Sequence, residues 1–115
     1  MAGARVQAFV LEPTIISFQN RDRVAELAVK YRLPGAFTLR EYAMAGGLLS
    51  YGPDYAVLER QHAGYVDRIL RGATPSTLPI EQPTKFELVI NLKTAKALGL
   101  TIAPALLVRA DEVIQ

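Results

Sequence analysis

The chain has 115 residues, enough for one domain with its own core but too few for two lobes with a cleft between them. Half of the residues are hydrophobic and 21% are charged, with 13 basic and 11 acidic side chains interspersed. Because no basic stripe with interleaved aromatic residues occurs, the sequence argues against nucleic-acid binding. The absence of cysteine excludes disulfides, thiolate metal sites and a cysteine nucleophile.

Mean hydropathy is slightly positive, at +0.17, which is high for a small domain. A well-filled core and a surface normally covered by another domain or chain explain this value equally well. No apolar run approaches the length of a membrane span. Residues 1–5 lack a charged segment followed by an apolar one, so they predict no signal peptide and, taken literally, a cytoplasmic chain.

In chain order, short apolar segments alternate with segments whose apolar residues recur at helical spacing. Proline and glycine separate them, as at Pro13, which lacks the amide that a sheet ladder needs. This alternation predicts an α/β fold, a mostly parallel sheet flanked by helices. The predicted strands cover 6–11, 36–37, 48–51, 86–90 and 111–114, and the predicted helices begin at or just after Asn20, Thr38, Asp54, Asn91 and Pro104.

Local signals mark several of the helix ends. The run Thr38-Leu39-Arg40-Glu41 is a capping-box pattern and predicts a short helix that Gly46-Gly47 ends. Asp54 is the predicted N-cap of the longest helix, which runs to Gly72. After it, residues 73–85 contain three prolines and predict an extended connector.

The sequence offers little that resembles enzyme chemistry. Its one histidine, His62, falls mid-helix, where a packed or exposed helix residue is the more common role. Ser50 lacks the flanking glycines of a nucleophile elbow, and Gly46-Gly47 is not followed by Gly-Lys-Ser/Thr. The acidic residues are too scattered for a metal site. We therefore predict a protein that is not an enzyme and holds no metal or cofactor.

The predicted strand ends carry a different kind of chemistry. In an open parallel sheet, ligands bind beyond the carboxyl ends of the strands. Those ends offer a carboxylate, hydroxyls, a guanidinium, a phenol and backbone amides, which together suit a small polar or zwitterionic ligand with an apolar part. The same residues also fit ordinary turns and caps, so both interpretations stay open. They are Glu12-Pro13-Thr14, Thr38-Leu39-Arg40 and Ser50-Tyr51-Gly52.

Residues 81–102, EQPTKFELVINLKTAKALGLTI, resemble the ending of ABC-type substrate-binding proteins of the uncharacterised transport-system or tryptophan/tyrosine-binding type. Further segments match that family in the same order: 40–42, 45–52, 65–72 and 110–114. The resemblance implies a type I periplasmic-binding-protein fold, in which two α/β lobes joined by a hinge close on a small ligand. It also implies export to the periplasm and transfer of the ligand to a membrane permease.

Compared with that family, the chain corresponds to the second lobe and the C-terminal segment. We therefore predict a single partial domain over 1–115, with the connector at 73–85 and a final segment from Phe86 that crosses back through the hinge. The ligand is expected to be small, such as an amino acid. By the resemblance, Glu12 pairs with its ammonium group and Tyr51 or Tyr55 packs its apolar part. The predicted ligand-binding residues are Glu12, Thr14, Arg40, Ser50, Tyr51, Gly52 and Tyr55.

Two other functions compete with solute binding. A remnant without ligand would assemble with itself as a structural or interaction protein, through exposed strand edges or by domain swapping, and would be a homodimer in solution. A small enzyme or regulator built on the same half-fold would need a reactive group beyond His62, and the sequence offers none.

Overall fold

A computed structural model describes residues 5–115; the segment considered for a signal peptide lies, apart from Arg5, outside the described residues. Strands and helices alternate along most of the chain. The strands are β1 (Phe9–Leu11), β2 (Gly35–Phe37), β3 (Leu49–Pro53), β4 (Phe86–Asn91) and β5 (Glu112–Ile114). The helices are α1 (Ile15–Gln19), α2 (Arg21–Lys30), α3 (Arg40–Met44), α4 (Tyr55–Leu70), α5 (Leu92–Ala97) and α6 (Pro104–Arg109).

The strands form one sheet in the order β1-β2-β3-β4-β5. The pairs β1–β2, β2–β3 and β4–β5 are parallel. β4 runs against β3, because the Asn91 amide at its carboxyl end donates to the Leu48 carbonyl just before β3. Near its amino end, Glu87 meets Arg40, which follows β2. The prediction of a mostly parallel sheet flanked by helices is confirmed.

Contacts divide the chain into two compact units. The first unit contains the residues up to Gly52 together with Glu87–Gln115, and the second unit is Pro53–Phe86. The connector predicted at 73–85 lies within the second unit and includes a 3-10 turn at Pro75–Thr77. That the whole chain is the second lobe of a two-lobed protein stays a prediction.

Aromatic side chains form the centre of the core in the first unit. Phe37 of β2 and Tyr42 of α3 are buried and stack with ring centroids 4.9 Å apart. Phe18 meets the Tyr42 ring edge-on at 6.1 Å, and Phe9 meets Phe37 in the same way at 5.7 Å. These contacts pack α1 and α3 against the β1–β2 part of the sheet, with edge-on and offset geometries that aromatic rings favour.

Polar contacts fix α3 over the middle of the sheet. The Asn91 side chain donates to the Ala43 carbonyl at 3.0 Å, and the Thr94 hydroxyl donates to the Gly46 carbonyl at 2.8 Å. Gly46 ends the helix with φ of +115°, a conformation that few other residues adopt. The helix stop predicted from Gly46-Gly47 is therefore confirmed.

The capping box predicted at Thr38 is wrong. The N-cap of α3 is Leu39, which makes no side-chain capping hydrogen bond. Thr38 lies one residue too early in the chain, and its hydroxyl is buried without a partner among the described residues. A capping box does occur before α1, where Thr14 and Ser17 exchange side-chain and backbone hydrogen bonds. Helix α1 is not predictable from the sequence pattern, because five residues are too few for a helical period to show.

The second unit consists mainly of α4. Its predicted N-cap is confirmed, since the Asp54 carboxylate accepts from the amides of Ala56 and Val57 at 3.0 and 3.3 Å. Farther along, the Tyr65 hydroxyl donates to the Pro79 carbonyl at 2.6 Å. None of the residues of α4 is buried. Among residues 5–115, no helix has both the length and the apolarity to cross a membrane.

Candidate functional site

The carboxyl ends of β1, β2 and β3 meet at one edge of the sheet in the first unit. The register aligns Leu11 with Phe37, and Phe37 with Ser50. The residue after Leu11 is Glu12, so a carboxylate follows β1 at the same edge as the residues that follow Phe37 and Ser50. We call this the ligand edge: residues 12–14, 38–40 and 50–52.

Glu12 supplies a free carboxylate at the ligand edge. Its side chain is exposed, and within the described part of the chain it makes no hydrogen bond or ion pair. Thr14, two residues later, is different, because its hydroxyl accepts from the Ser17 amide at 3.1 Å and also donates to the Ser17 hydroxyl. The Thr14 hydroxyl therefore already caps α1, whereas the Glu12 carboxylate remains available.

Ser50 carries an unusual hydroxyl. The residue is only 1% exposed, and among the described residues its hydroxyl has no hydrogen-bond partner. Because Ser50 aligns with Phe37 in the sheet, its side chain lies on the face that α3 covers. Leaving a buried hydroxyl unpaired costs about 1–3 kcal/mol, so such a group calls for a partner from outside the chain or a functional reason.

Tyr51 and Gly52 follow on the same strand. The Tyr51 side chain is more than half exposed. Gly52 is buried, and a Cβ built on it would lie 2.1 Å from the carbonyl oxygen of Thr38. A glycine is therefore needed here so that the backbones of β3 and the turn after β2 can approach closely.

Arg40 is tied to two carboxylates. Its guanidinium donates to Glu87 at 3.1 Å and to Glu112 through its other terminal nitrogen. The Arg40 and Glu112 side chains are each about 40% exposed, and Glu87 is 18% exposed. This cluster, Arg40, Glu87 and Glu112, holds two negative charges against one positive charge. The ligand edge itself carries one carboxylate, Glu12, and one cation, Arg40, which is already paired with Glu87 and Glu112.

Tyr55 belongs to the second unit, where it is the first residue of α4 and half exposed. The other six predicted residues lie at the ligand edge of the first unit. His62 is exposed on α4, as the common role of a mid-helix histidine predicts. In the part of the chain that the structure describes, no group of three or more acidic or histidine residues is arranged to hold a metal ion.

The contacts of Glu87 and Glu112 with Arg40 are not predictable from the sequence. Both lie at the amino ends of their strands, which in a sheet of uniformly parallel strands would be remote from the ligand edge. The reversed direction of β4 brings these amino ends to the carboxyl ends of β1–β3, and β5 follows because it is parallel to β4. No local pattern signals that reversal.

An open apolar hollow of about 320 Å³ lies elsewhere on the first unit. It is lined by residues at the start and middle of β1 and β2 and at the start of β3, including Val10, Ala36 and Leu49. The residues of the ligand edge do not line it, and it presents almost no polar atoms. It therefore lacks the polar groups that would orient a zwitterion.

The family described as ABC transporter substrate binding protein matches residues 2–114. A search of curated protein sequences finds no match. Among solved structures, a domain from Streptococcus pneumoniae in complex with L-Trp is similar with a TM-score of 0.87 and 25% identity, over 96% of this chain and 38% of that one.

Two further solved structures show the same fold. A conserved domain protein from Vibrio cholerae has a TM-score of 0.72 and 20% identity, over 96% of this chain and 55% of that one. A ligand-free, open substrate binding protein with adhesive properties from Clostridium difficile has a TM-score of 0.68 and 17% identity, over 99% and 39%. The chain thus spans between 38% and 55% of the length of the three similar chains.

Proposed function

This chain belongs to the family of ABC transporter substrate-binding proteins, and we propose that it binds a small zwitterionic ligand, such as an amino acid, at the ligand edge. The observation that carries the proposal is the similarity to a domain complexed with L-Trp, at 25% identity over 96% of this chain. In this role the ligand is passed to an ABC permease. The periplasm is the compartment in which such a protein meets its ligand.

The charge of the ligand edge supports an ammonium group on the ligand. Glu12 offers a carboxylate without a partner among the described residues, and hydrogen bonds to a charged group contribute about 1.5–3 kcal/mol. Arg40, the cation of the edge, is paired with Glu87 and Glu112, so its charge does not offset that of Glu12. We therefore assign Glu12 to the ammonium group of the ligand.

The remaining edge residues supply polar contacts and apolar surface. Ser50, with its hydroxyl buried under α3, and Gly52, which packs against the Thr38 carbonyl, shape the edge from within the sheet. Tyr51 offers an exposed ring to an apolar side chain. The same role for Tyr55 stays a prediction from the family resemblance. An aromatic or branched amino acid would use both the charged and the apolar parts of this set.

Calorimetric titration with three related compounds tests the assignment of Glu12. L-tryptophan has both charged groups, tryptamine lacks the carboxylate, and indole-3-propionate lacks the ammonium group. We expect Glu12→Gln to weaken L-tryptophan and tryptamine binding about 10- to 100-fold, the equivalent of one charged hydrogen bond, and to leave indole-3-propionate unchanged. Glu26→Gln, on the exposed surface of α2, is the matched control.

Two results would contradict the proposal. If the wild-type chain gives no heat with L-tryptophan or with branched amino acids, the chain does not bind this ligand class. If Glu12→Gln weakens all three compounds equally, the loss does not come from an ammonium contact.

One observation favours self-association as a second function. Val10 is 75% exposed although it lies on β1, which is an edge strand of the sheet. An uncovered edge with an apolar side chain is a surface on which a second copy can pair. Light scattering over a range of concentrations tests this: a homodimer that Val10→Lys dissociates supports pairing through β1, and a monomer at all concentrations rules it out.

A further inference from the structure

The chain leaves the first unit after Gly52 and returns to it at Glu87. One short segment, residues 38–40, leads from β2 into the first residue of α3 and contacts both Gly52 and Glu87. The Thr38 carbonyl packs against Gly52 so closely that no Cβ fits between them. Arg40, two residues later, donates to the Glu87 carboxylate at 3.1 Å. This segment of the ligand edge therefore contacts both the residue at which the chain leaves the first unit, Gly52, and the residue at which it returns, Glu87.

Arg40 also bridges β4 and β5, which are neighbours in the sheet, at their amino ends. Glu112 aligns with Val89 in the β4–β5 pair, so Glu87, two residues before Val89, is its diagonal neighbour on the same face. Two carboxylates in that arrangement repel each other. The Arg40 guanidinium donates to both, and its planar fork suits two separate oxygen acceptors.

We propose that Arg40 is a positioning residue, which holds the returning strand β4 in the sheet through Glu87 and Glu112. The role in ligand binding rests on the proposed function, because β4 borders the ligand edge. With its guanidinium committed to two protein carboxylates, Arg40 is not the group that neutralises the ligand's own carboxylate. The edge consequently selects for an ammonium group and against a dicarboxylate.

Hydrogen exchange at β4 tests the positioning role without any ligand. The Leu88 amide, which donates to the Asp111 carboxylate at 2.8 Å, reports on the start of the strand. We expect Arg40→Gln to speed exchange there about 2- to 5-fold, as for the loss of a partly exposed ion pair. The triple variant Arg40→Gln/Glu87→Gln/Glu112→Gln should recover much of the protection, because the repulsion is removed as well.

The matched control is Arg23→Gln, which breaks an exposed ion pair with Glu26 on α2 and should leave β4 exchange unchanged. Titration with L-tryptophan then links the strand to binding. We expect Arg40→Gln to weaken binding by a factor similar to that for exchange, and the triple variant to regain affinity. A guanidinium that contacted the ligand directly could not be replaced by removing two glutamates.

Unchanged β4 exchange in Arg40→Gln overturns the inference. So does a triple variant that regains β4 protection but not affinity, since Arg40 would then contact the ligand itself. If wild-type protein does not bind L-tryptophan, the proposed function fails for this probe, while the exchange rates still decide whether Arg40 positions β4.

Discussion

At the scale of single residues, Gly52 and Gly64 differ in whether the structure leaves space for a side chain. A Cβ on Gly52 would meet the backbone of Thr38 at 2.1 Å, whereas a Cβ on Gly64, in the middle of α4, would meet nothing within 4 Å. The first glycine is required by close backbone packing. The second only lowers the helix propensity of α4.

The two positions therefore predict opposite effects of the same substitution. Gly52→Ala should lower the free energy of unfolding by about 1–3 kcal/mol, because the β2 and β3 ends must move apart. Gly64→Ala should raise it by about 0.5–1 kcal/mol. Denaturant unfolding followed by circular dichroism measures both. Two changes of the same sign would contradict the packing described for Gly52.

Asp54 gives a prediction for pH. Desolvation raises the pKa of this carboxyl, whereas the Val57 amide and the Lys85 ammonium lower it by hydrogen bonding. The lowering prevails, and the pKa lies below its ordinary value of 3.8. A lowered pKa means that the ionised group stabilises the fold above pH 3.8, and that this contribution is lost as the pH falls through the lower, folded-state value.

Asp54→Asn keeps an oxygen for the cap but removes the charge. We expect the wild type to have the higher Tm at neutral pH and the difference from Asp54→Asn to vanish as the pH falls below 3.8. Thermal unfolding at a series of pH values measures this difference. Its persistence unchanged to pH 2 would show that the Asp54 charge does not cause it.

At the scale of elements, Asn91 connects β4, α5 and α3. Its side chain accepts from the Thr94 amide as the N-cap of α5 and donates to the Ala43 carbonyl of α3, and the residue is buried. Because both partners are removed from water, losing the amide leaves unsatisfied groups that water cannot reach. A five-residue helix such as α3 depends on contacts of this kind, since its own hydrogen bonds are too few to stabilise it.

Asn91→Ala should therefore cost about 2–3 kcal/mol of the free energy of unfolding. Asn20→Ala is the matched control: Asn20 is also an N-cap residue, but it is exposed, and its side chain donates to the Ile16 carbonyl of α1 and caps no amide of α2. We expect that control to stay within about 0.5 kcal/mol of wild type. Equal losses for the two variants, measured by denaturant unfolding, would disprove the role assigned to Asn91.

At the scale of the whole molecule, the main elements of the two units differ in how many of their residues are buried. β4 includes the buried residues Val89, Ile90 and Asn91, whereas α4 has no buried residue and exposes Val66 and Leu70. A unit of this size buries too little apolar surface to be stable by itself. We expect the amides of α4 to exchange with solvent faster than those of β4 in native-state hydrogen exchange. Equal protection would indicate one cooperative unit.

Most elements were predictable from the sequence because their signals are local. Asp54 and Asn91 cap the helices that follow them, and Gly46 ends α3, since cap and stop residues act within a few positions of the chain. Alternating apolar segments predicted the α/β class, which depends on the period of the pattern rather than on particular contacts. The short helix α1 was not predicted, because it spans little more than one turn.

The features of the ligand edge also divide into those that local sequence signals predict and those that depend on the fold. The sequence alone predicts that Glu12 and Thr14 follow a strand and that Ser50, Tyr51 and Gly52 lie at the end of one, because a strand end is a local event. Three features become visible in the folded chain alone: β4 runs against β3, Arg40 binds Glu87 and Glu112, and the Ser50 hydroxyl is buried without a partner among the described residues. These facts join residues tens of positions apart, and strand direction and burial are set by packing rather than by neighbours in the chain.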